Sequence, residues 1–339
     1  MPSEEKPILL RIEKTREFLE KKRCSGCLVC GSANISWLVG LPHTEGLLLL
    51  TKKEAYLFVS PLSNQANLHE KKLPVELITE EKKFRALVNC CRKVGYLAPE
   101  ITVERLAHWK RRFTCTFLAW PDFILNLRAV KDSLELKLLR KARIIARKIL
   151  KEIVTRYVRS GVEEVELAEE IRHLTYVHGA TGSSFPPIVA SGPNSAYPHH
   201  RPERRRLKEG EVLIIDLGVE YEGYHSDLTE TVFAGKKSPD LECLYQAVAE
   251  AQKRCLEKIR AGLSGQEIHQ LAASYFQEKG LAKYFVHGLG HGLGLQVHEK
   301  PVLNTRSKDL LQPGMVVTVE PGLYLPGTGG VRLEEMVFL

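Results

Sequence analysis

The chain has 339 residues, 44% hydrophobic and 27% charged, a balance that excludes a disordered or fibrous protein and suits two globular domains. Its formal net charge of +8 is mostly spread through helix-like segments. The densest basic cluster, residues 201–208, lacks the interleaved aromatics that stack on bases, so a solvated basic surface is expected rather than a nucleic-acid partner.

The longest apolar run, residues 46–50, is far shorter than the roughly 20 residues of a membrane span. The acidic N-terminus carries no secretory signal, and both features predict a cytoplasmic protein with no membrane partner. From that end, residues 8–22 have helical apolar spacing. Short apolar runs at 27–30, 47–50, 55–59 and 75–78 predict strands. Helices are expected at 81–93 and 103–112, with a strand at 94–97 between them. Cys24, Cys27 and Cys30 form a C-x2-C-x2-C run, but no fourth thiolate follows at matching spacing, so reduced core cysteines are expected. These elements predict an α/β domain over residues 1–125.

Residues 126–339 read differently. Ser133 is expected to cap a long basic helix reaching about residue 159, and helices at 163–177, 239–260 and 264–279 alternate with β-hairpin signals. That is an α+β pattern, an antiparallel sheet backed by helices. Between the hairpins lies VHGLGHGLGLQVHE, residues 286–299, with His287, His291 and His298 spaced by four and seven. It lacks the G-x-x-x-x-G-K-[ST] pattern of a phosphate loop, and whether its histidines bind metal depends on partners elsewhere.

Those partners are acids. In VLIIDLGVEYEGYHSDLTETVF, residues 212–233, a two-residue loop at Tyr221-Glu222 sets Asp216 opposite Asp227. Moving the loop by one residue keeps both on one face, because side chains alternate along a strand. In TVEPGLYLPGTGGVRLEE, residues 318–335, a loop at 326–328 pairs Leu325 with Gly329 and sets Glu320 against Glu334, while Glu335 faces the other way. Opposed like charges destabilise a sheet, and a buried carboxylate needs compensation. Salt bridges to Arg332, Arg206 and similar residues are the simpler reading, yet four acids would need four buried basic partners. Two divalent cations with oxygen ligands and one imidazole, a donor set suited to Mn2+, Co2+ or Zn2+, balance the charge and are the arrangement used for hydrolysis.

The pattern of Asp216, Asp227, His291 in GHG, Glu320 in VEPG and Glu334 in VRLEE resembles the metallopeptidases of the pita-bread fold. These are the methionine aminopeptidases, Xaa-Pro aminopeptidases, Xaa-Pro dipeptidases and creatinases. The resemblance spans essentially the whole chain, including PPIVASGPNSAYPHH at 186–200 and a creatinase-type first domain with RIEKTREFLEKK and NISWLVG. It implies a pita-bread domain over 126–339 behind a creatinase-like domain over 1–125. Asp216 would chelate one metal, Asp227 and Glu334 would bridge both, and His291 and Glu320 would complete separate shells. Glu320 would also act as general base, and His298 and His199 would stabilise the tetrahedral intermediate. His287 and Arg332, which fit the proline-specific branch, would support the site or touch substrate. His200 is expected to face solvent, His225 reads as a bystander, and His173, His178 and His269 read as surface or core residues.

The function expected is hydrolysis of the bond before proline in dipeptides or at peptide N-termini, by a homodimer using two divalent metal ions. An imide nitrogen cannot donate a hydrogen bond and restricts its neighbours, so a dedicated site is needed. An aminopeptidase of other specificity is the alternative enzyme. A non-catalytic binding protein on the same fold is the alternative class, which five retained ligand residues argue against.

Overall fold

Strand and helix signals in the first third become a six-stranded sheet with helices packed on it. The computed structural model describes residues 2–60, 74–236 and 239–339. The chain divides into two compact units, Met1–Arg128 and Ala129–Leu339. In the first, helix α1 (Pro2–Lys21) precedes β1 (Gly26–Val29), α2 (Ser32–Val39), β2 (Leu47–Thr51), β3 (Ala55–Phe58) and β4 (Glu76–Ile78). Then come α3 (Glu81–Asn89), β5 (Lys93–Leu97), α4 (Val103–Arg112), β6 (Thr116–Trp120) and α5 (Phe123–Ala129). The strand order is β4-β3-β2-β1-β5-β6, with β1, β5 and β6 parallel and β1, β2 and β3 antiparallel. Helix α3 stops at Asn89, short of the expected residue 93, because Lys93 already pairs with Thr116 in the sheet. Leu28, Leu49, Phe84, Val88 and Trp109 fill one core.

The cysteine run belongs to that packing. Cys24 and Cys27 are buried, and burial pushes the Cys27 thiol up to about 12, a neutral side chain among apolar neighbours. Cys30 Sγ lies 3.7 Å from the Glu100 carbonyl oxygen, to which it donates.

The second unit carries α6 (Ser133–Glu152), α7 (Glu164–Val177), β7 (Gly182–Ser183), β8 (Ile188–Ser191), β9 (Val212–Leu217), β10 (Val219–Tyr221), β11 (Tyr224–His225) and β12 (Leu228–Phe233). Helices α8 (Pro239–Lys258) and α9 (Gly265–Glu278) follow, then β13 (Gly290–Gly292), β14 (Glu299–Leu303), β15 (Val316–Val319), β16 (Gly322–Leu325), β17 (Gly329–Arg332) and β18 (Glu335–Phe338). Its strands form small sheets, β11-β10-β7, β12-β9-β8, β14-β13-β15-β18 and β16-β17, with every pairing antiparallel. Leu139, Ile145 and Ile149 of α6 and Leu167 and Ile171 of α7 pack on Leu213, Ile215 and Leu217. Val248 of α8 and Ile268 and Phe276 of α9 pack on Val317, Leu323 and Val331. Helices thus cover the sheets from two cores, which holds the strands that carry the acids.

One local expectation is corrected here. The N-cap of α6 is Asp132, not Ser133: its side chain accepts from the backbone N–H of Leu134 and Glu135, and Glu135 closes a capping box. One Asp132 carboxylate oxygen accepts both N–H groups, which makes Ser133 the first helical residue instead of the cap. No helix among the described residues is long and apolar enough to cross a membrane.

Candidate metal centre

The first hairpin turns at Glu222-Gly223, not Tyr221-Glu222, with φ of 51° and 80° at the two positions. Both angles are left-handed, as a tight hairpin turn requires, and glycine takes the second without strain. The loop therefore slides by one residue, and Asp216 pairs with Thr229 instead of standing directly opposite Asp227. Alternation survives the slide, and Asp216 and Asp227 line one cavity together. The second hairpin matches its expected register: Leu325 pairs with Gly329 and Gly322 with Arg332, and continuing that ladder brings Glu320 towards Glu334. Glu335 leaves the site and pairs with Arg143 and Arg147.

His291 enters from β13, squeezed between β14 and β15. Glycine flanks it of necessity: a Cβ on Gly290 would lie 2.1 Å from the Thr318 carbonyl oxygen, and one on Gly292 would lie 2.1 Å from that of Lys300. The His291 N–H donates to Thr318 Oγ1 at 3.0 Å, and Nδ1 donates to the Gly292 carbonyl at 3.1 Å. A carbonyl only accepts, so Nδ1 carries the proton and Nε2 is left with a lone pair. That nitrogen lies 3.4 Å from Glu320 Oε1 and 3.7 Å from Asp227 Oδ2. Burial, then neighbouring His298, lowers the imidazole to about 4, so it is a neutral donor.

The acids are under opposite stress. Burial pushes Asp227 and Glu334 well above the carboxylate range, each pushed further by its acidic neighbours, and raises Glu320 to about 7. Thr229 Oγ1 donates to Glu334 Oε2 at 2.7 Å and Thr318 Oγ1 to Glu320 Oε1 at 3.1 Å. Asp216 Oδ1 and Glu334 Oε1 are buried with no hydrogen-bond partner. Two orphaned carboxylate oxygens facing a site of excess negative charge fit cations, since an unpaired buried carboxylate is expensive. Ligand atoms of Asp227, His291 and Glu334 all lie within 4.8 Å of one another.

Arg332 supplies the protein's own positive charge there. Its guanidinium donates to Asp216 Oδ2 at 2.6 Å, Tyr324 Oη at 2.8 Å, Thr229 Oγ1 at 3.2 Å and the Pro198 carbonyl at 3.2 Å. The salt-bridge reading thus holds for one acid; Arg206 pairs with Glu163 outside the site. Tyr324 Oη donates to His287 Nε2 at 3.0 Å, and His287 Nδ1 donates to the Gly288 carbonyl at 2.7 Å. This relay needs a neutral imidazole, and burial holds His287 at about 4.

All nine sequence-predicted residues line one cavity of about 650 Å³: Asp216, Asp227, Glu320 and Glu334, His199, His287, His291 and His298, and Arg332. The His298 ring centroid lies 4.3 Å from that of His291. Next to it, Glu299 is paired with Lys131 at 3.2 Å, both buried, which fixes the start of β14. His200 is not solvated: Nε2 donates to buried Glu164 at 2.8 Å. His269 is buried against Phe285, His173 is exposed, and His178 pairs with Glu152. Tyr324, Thr229 and Thr318 were not singled out in the sequence. Tyr324 stands on β16 on the same face as Gly322, which pairs with Arg332, and it reaches the site through its hydrogen bond with Arg332.

Comparison with known proteins gives this geometry a family. The profile of metallopeptidase family M24 matches residues 137–339, and that of the creatinase/prolidase N-terminal domain matches 11–130. The chain belongs to metallopeptidase family M24. This metallopeptidase has the two-domain architecture of creatinase-type N-terminal and pita-bread domains. It is 32% identical over 332 residues to the Xaa-Pro dipeptidase of Pyrococcus horikoshii, covering 97% of this chain and 94% of that one. It is also 32% identical over 333 residues to the Xaa-Pro dipeptidase of Pyrococcus furiosus, covering 97% and 94%. The solved Xaa-Pro dipeptidase from Bacillus anthracis superposes with a TM-score of 0.93 at 33% identity, covering 98% of this chain and 95% of that one.

Proposed function

We propose that this metallopeptidase hydrolyses the peptide bond preceding proline, in dipeptides or at peptide N-termini, with two divalent cations held by Asp216, Asp227, His291, Glu320 and Glu334. The observation that carries the reading is the set of buried carboxylates converging with a neutral imidazole, two of their oxygens orphaned, on one cavity wall. Family membership supports metal use, and the relatives named Xaa-Pro dipeptidase support the specificity. Oxygen ligands with one imidazole suit Mn2+, Co2+ or Zn2+. Bound there, the cations supply Lewis acidity that polarises the scissile carbonyl and acidifies water.

The residues around them divide the remaining work. Glu320 is the acid open to the cavity, its side chain 18% exposed against 8% for Asp227 and 10% for Asp216. It is therefore placed to take a proton from attacking water and pass it to the leaving nitrogen. Its Oε1 is held by Thr318, which fixes the direction of that transfer. His298 and His199 present imidazoles to the cavity, where a donated hydrogen bond steadies charge developing on the carbonyl oxygen. Arg332 orients Asp216 and, through Tyr324, His287. The apolar side of the cavity, Phe185 to Ile188 with Val297 and Val302, suits a pyrrolidine ring. The homodimer and cytoplasmic location belong to the same reading and rest on the family resemblance and the sequence pattern.

The test starts from metal-free protein, to which Mn2+, Co2+ or Zn2+ is added before assaying alanyl-proline beside alanyl-prolyl-alanine. Turnover of either, restored by metal, supports the reading. Full turnover by thoroughly metal-stripped protein sinks the metal assignment, and cleavage confined to peptides lacking proline sinks the specificity.

A further inference from the structure

The basic run at 201–208 reads as solvated surface, yet its first member lines the cavity. Arg205 is paired with Glu211 and Arg206 with Glu163. Arg201 is exposed and makes no hydrogen bond or ion pair among the described residues. Among the described residues one other arginine lines the cavity, Arg332, and its donors are already committed.

A free surface arginine is ordinarily unremarkable, because its side chain and its loop both move. Here the loop is fixed on both sides of Arg201 by one buried carboxylate. Glu164, 1% exposed, accepts from His200 Nε2 at 2.8 Å and from the Glu203 backbone N–H at 3.0 Å. The same carboxylate accepts from Ser191 N–H at 2.8 Å and Ser191 Oγ at 2.6 Å, which ties it to the end of β8. Three residues before Arg201, the Pro198 carbonyl is held by Arg332. The segment that presents His199 and Arg201 is thus pinned before, between and after them, and an uncommitted guanidinium is left at the cavity edge.

A proline dipeptide brings a carboxylate one residue beyond the scissile carbonyl. Cations held by Asp216, Asp227, Glu320 and Glu334 are occupied by those acids and by the scissile group, and Arg332 is committed, so among the described lining residues Arg201 offers this carboxylate its uncommitted permanent charge. We propose that Arg201 receives the free C-terminal carboxylate of the substrate, selecting Xaa-Pro dipeptides over longer peptides. Guanidinium and carboxylate match as a two-pronged hydrogen-bonded pair, which suits arginine better than lysine. The assignment rests on the proline-specific reading above and names the substrate class within it.

Wild-type protein, Arg201→Met and Arg201→Lys are compared, with Mn2+ added, on alanyl-proline and on its C-terminal amide. The wild type is expected to favour the dipeptide. Arg201→Met lowers the dipeptide-to-amide ratio of kcat/KM about fivefold to tenfold, chiefly through KM, and Arg201→Lys lowers it less. Calorimetric binding of the reduced-bond analogue of alanyl-proline and of its amide shows the same ordering without turnover. An unchanged ratio overturns the assignment, as do an equal loss on both compounds and a wild type that favours the amide. Wild-type protein that cleaves neither compound but cleaves other peptides overturns the proline-specific reading itself; a cleaved dipeptide with an unchanged ratio removes Arg201 alone.

Discussion

The two acid-bearing hairpins follow one plan and compensate their charges in opposite ways. In the β9–β12 hairpin, Asp216 receives a buried guanidinium, but that guanidinium, Arg332, comes from β17 of the other hairpin. In the β16–β17 hairpin, Glu334 receives only a hydroxyl, and that hydroxyl, Thr229, comes from β12 of the first. Each hairpin supplies what the other lacks. The site is therefore one electrostatic unit laced across two sheets, and no hairpin makes sense alone. It also follows that the two compensations fail differently: removing a charge partner leaves a buried ion, while removing a hydroxyl leaves a carboxylate that can simply stay protonated.

The largest effect is expected where neither hairpin offers compensation. Asp227 has no cation of its own and lies among three other acids that push its pKa up. Asp227→Asn should lower Ala-Pro turnover about a thousandfold and reduce bound metal, read by elemental analysis of the purified protein. Wild-type turnover with full metal content in that variant would remove Asp227 from the centre. Arg332→Met tests the charged side of the comparison. It strands Asp216 buried and unpaired in metal-free protein, at a cost of about 3–5 kcal/mol in urea unfolding. Thr229→Val, on the hydroxyl side, should cost only about 1–2 kcal/mol in the same measurement. Equal losses would mean that the two hairpins are not compensated differently at all.

Acidity sharpens the contrast further. Glu320 is raised from 4.5 to about 7 in the folded protein, and Asp227 and Glu334 shift in the same direction. The folded state therefore holds these protons more tightly than the unfolded chain. Metal-free protein should have this stabilisation in full below the unfolded carboxylate pKa and lose it as pH rises from about 4.5 through 7. Metal binding needs deprotonated ligands, so added Mn2+ should raise Tm more at pH 7.5 than at pH 5.5. Thermal unfolding with and without metal at both pH values checks the sign; a metal effect that shrinks as pH rises would contradict it.

How much of this was legible beforehand depends on range. Period-two alternation put Asp216 with Asp227, and Glu320 with Glu334, on shared faces whatever the exact loop, and that survived a one-residue slide at Glu222-Gly223. The glycines around His291 are visible in the sequence, but the reason for them, the close approach of the Thr318 and Lys300 carbonyls, is not. Contacts between elements far apart in the chain left no such trace. Nothing in the spacing of Arg332 and Asp216, or of His200 and Glu164, shows that 116 and 36 residues of chain bring them together. Asp132 was overlooked as a cap because an adjacent serine is also a good one, and only side-chain geometry chooses.

The smallest effect belongs to the residue that joins the charged compensation to the histidine stretch. Tyr324 Oη accepts from Arg332 and donates to His287, and it is buried enough for its own pKa to rise to about 12. It therefore stays a neutral hydroxyl throughout the working range, and its contribution is orientation. Tyr324→Phe keeps the ring and deletes both bonds, leaving one Arg332 N–H and the His287 Nε2 lone pair unsatisfied. The expected loss is about 1 kcal/mol or less in unfolding and roughly tenfold or less in kcat, far short of the Asp227→Asn effect. If His287 touches substrate only through this tether, Tyr324→Phe and His287→Ala should not add in a double-mutant cycle on KM. Additive losses would show that His287 and Arg332 act independently, and the link between the hairpin charge and the histidine stretch would dissolve.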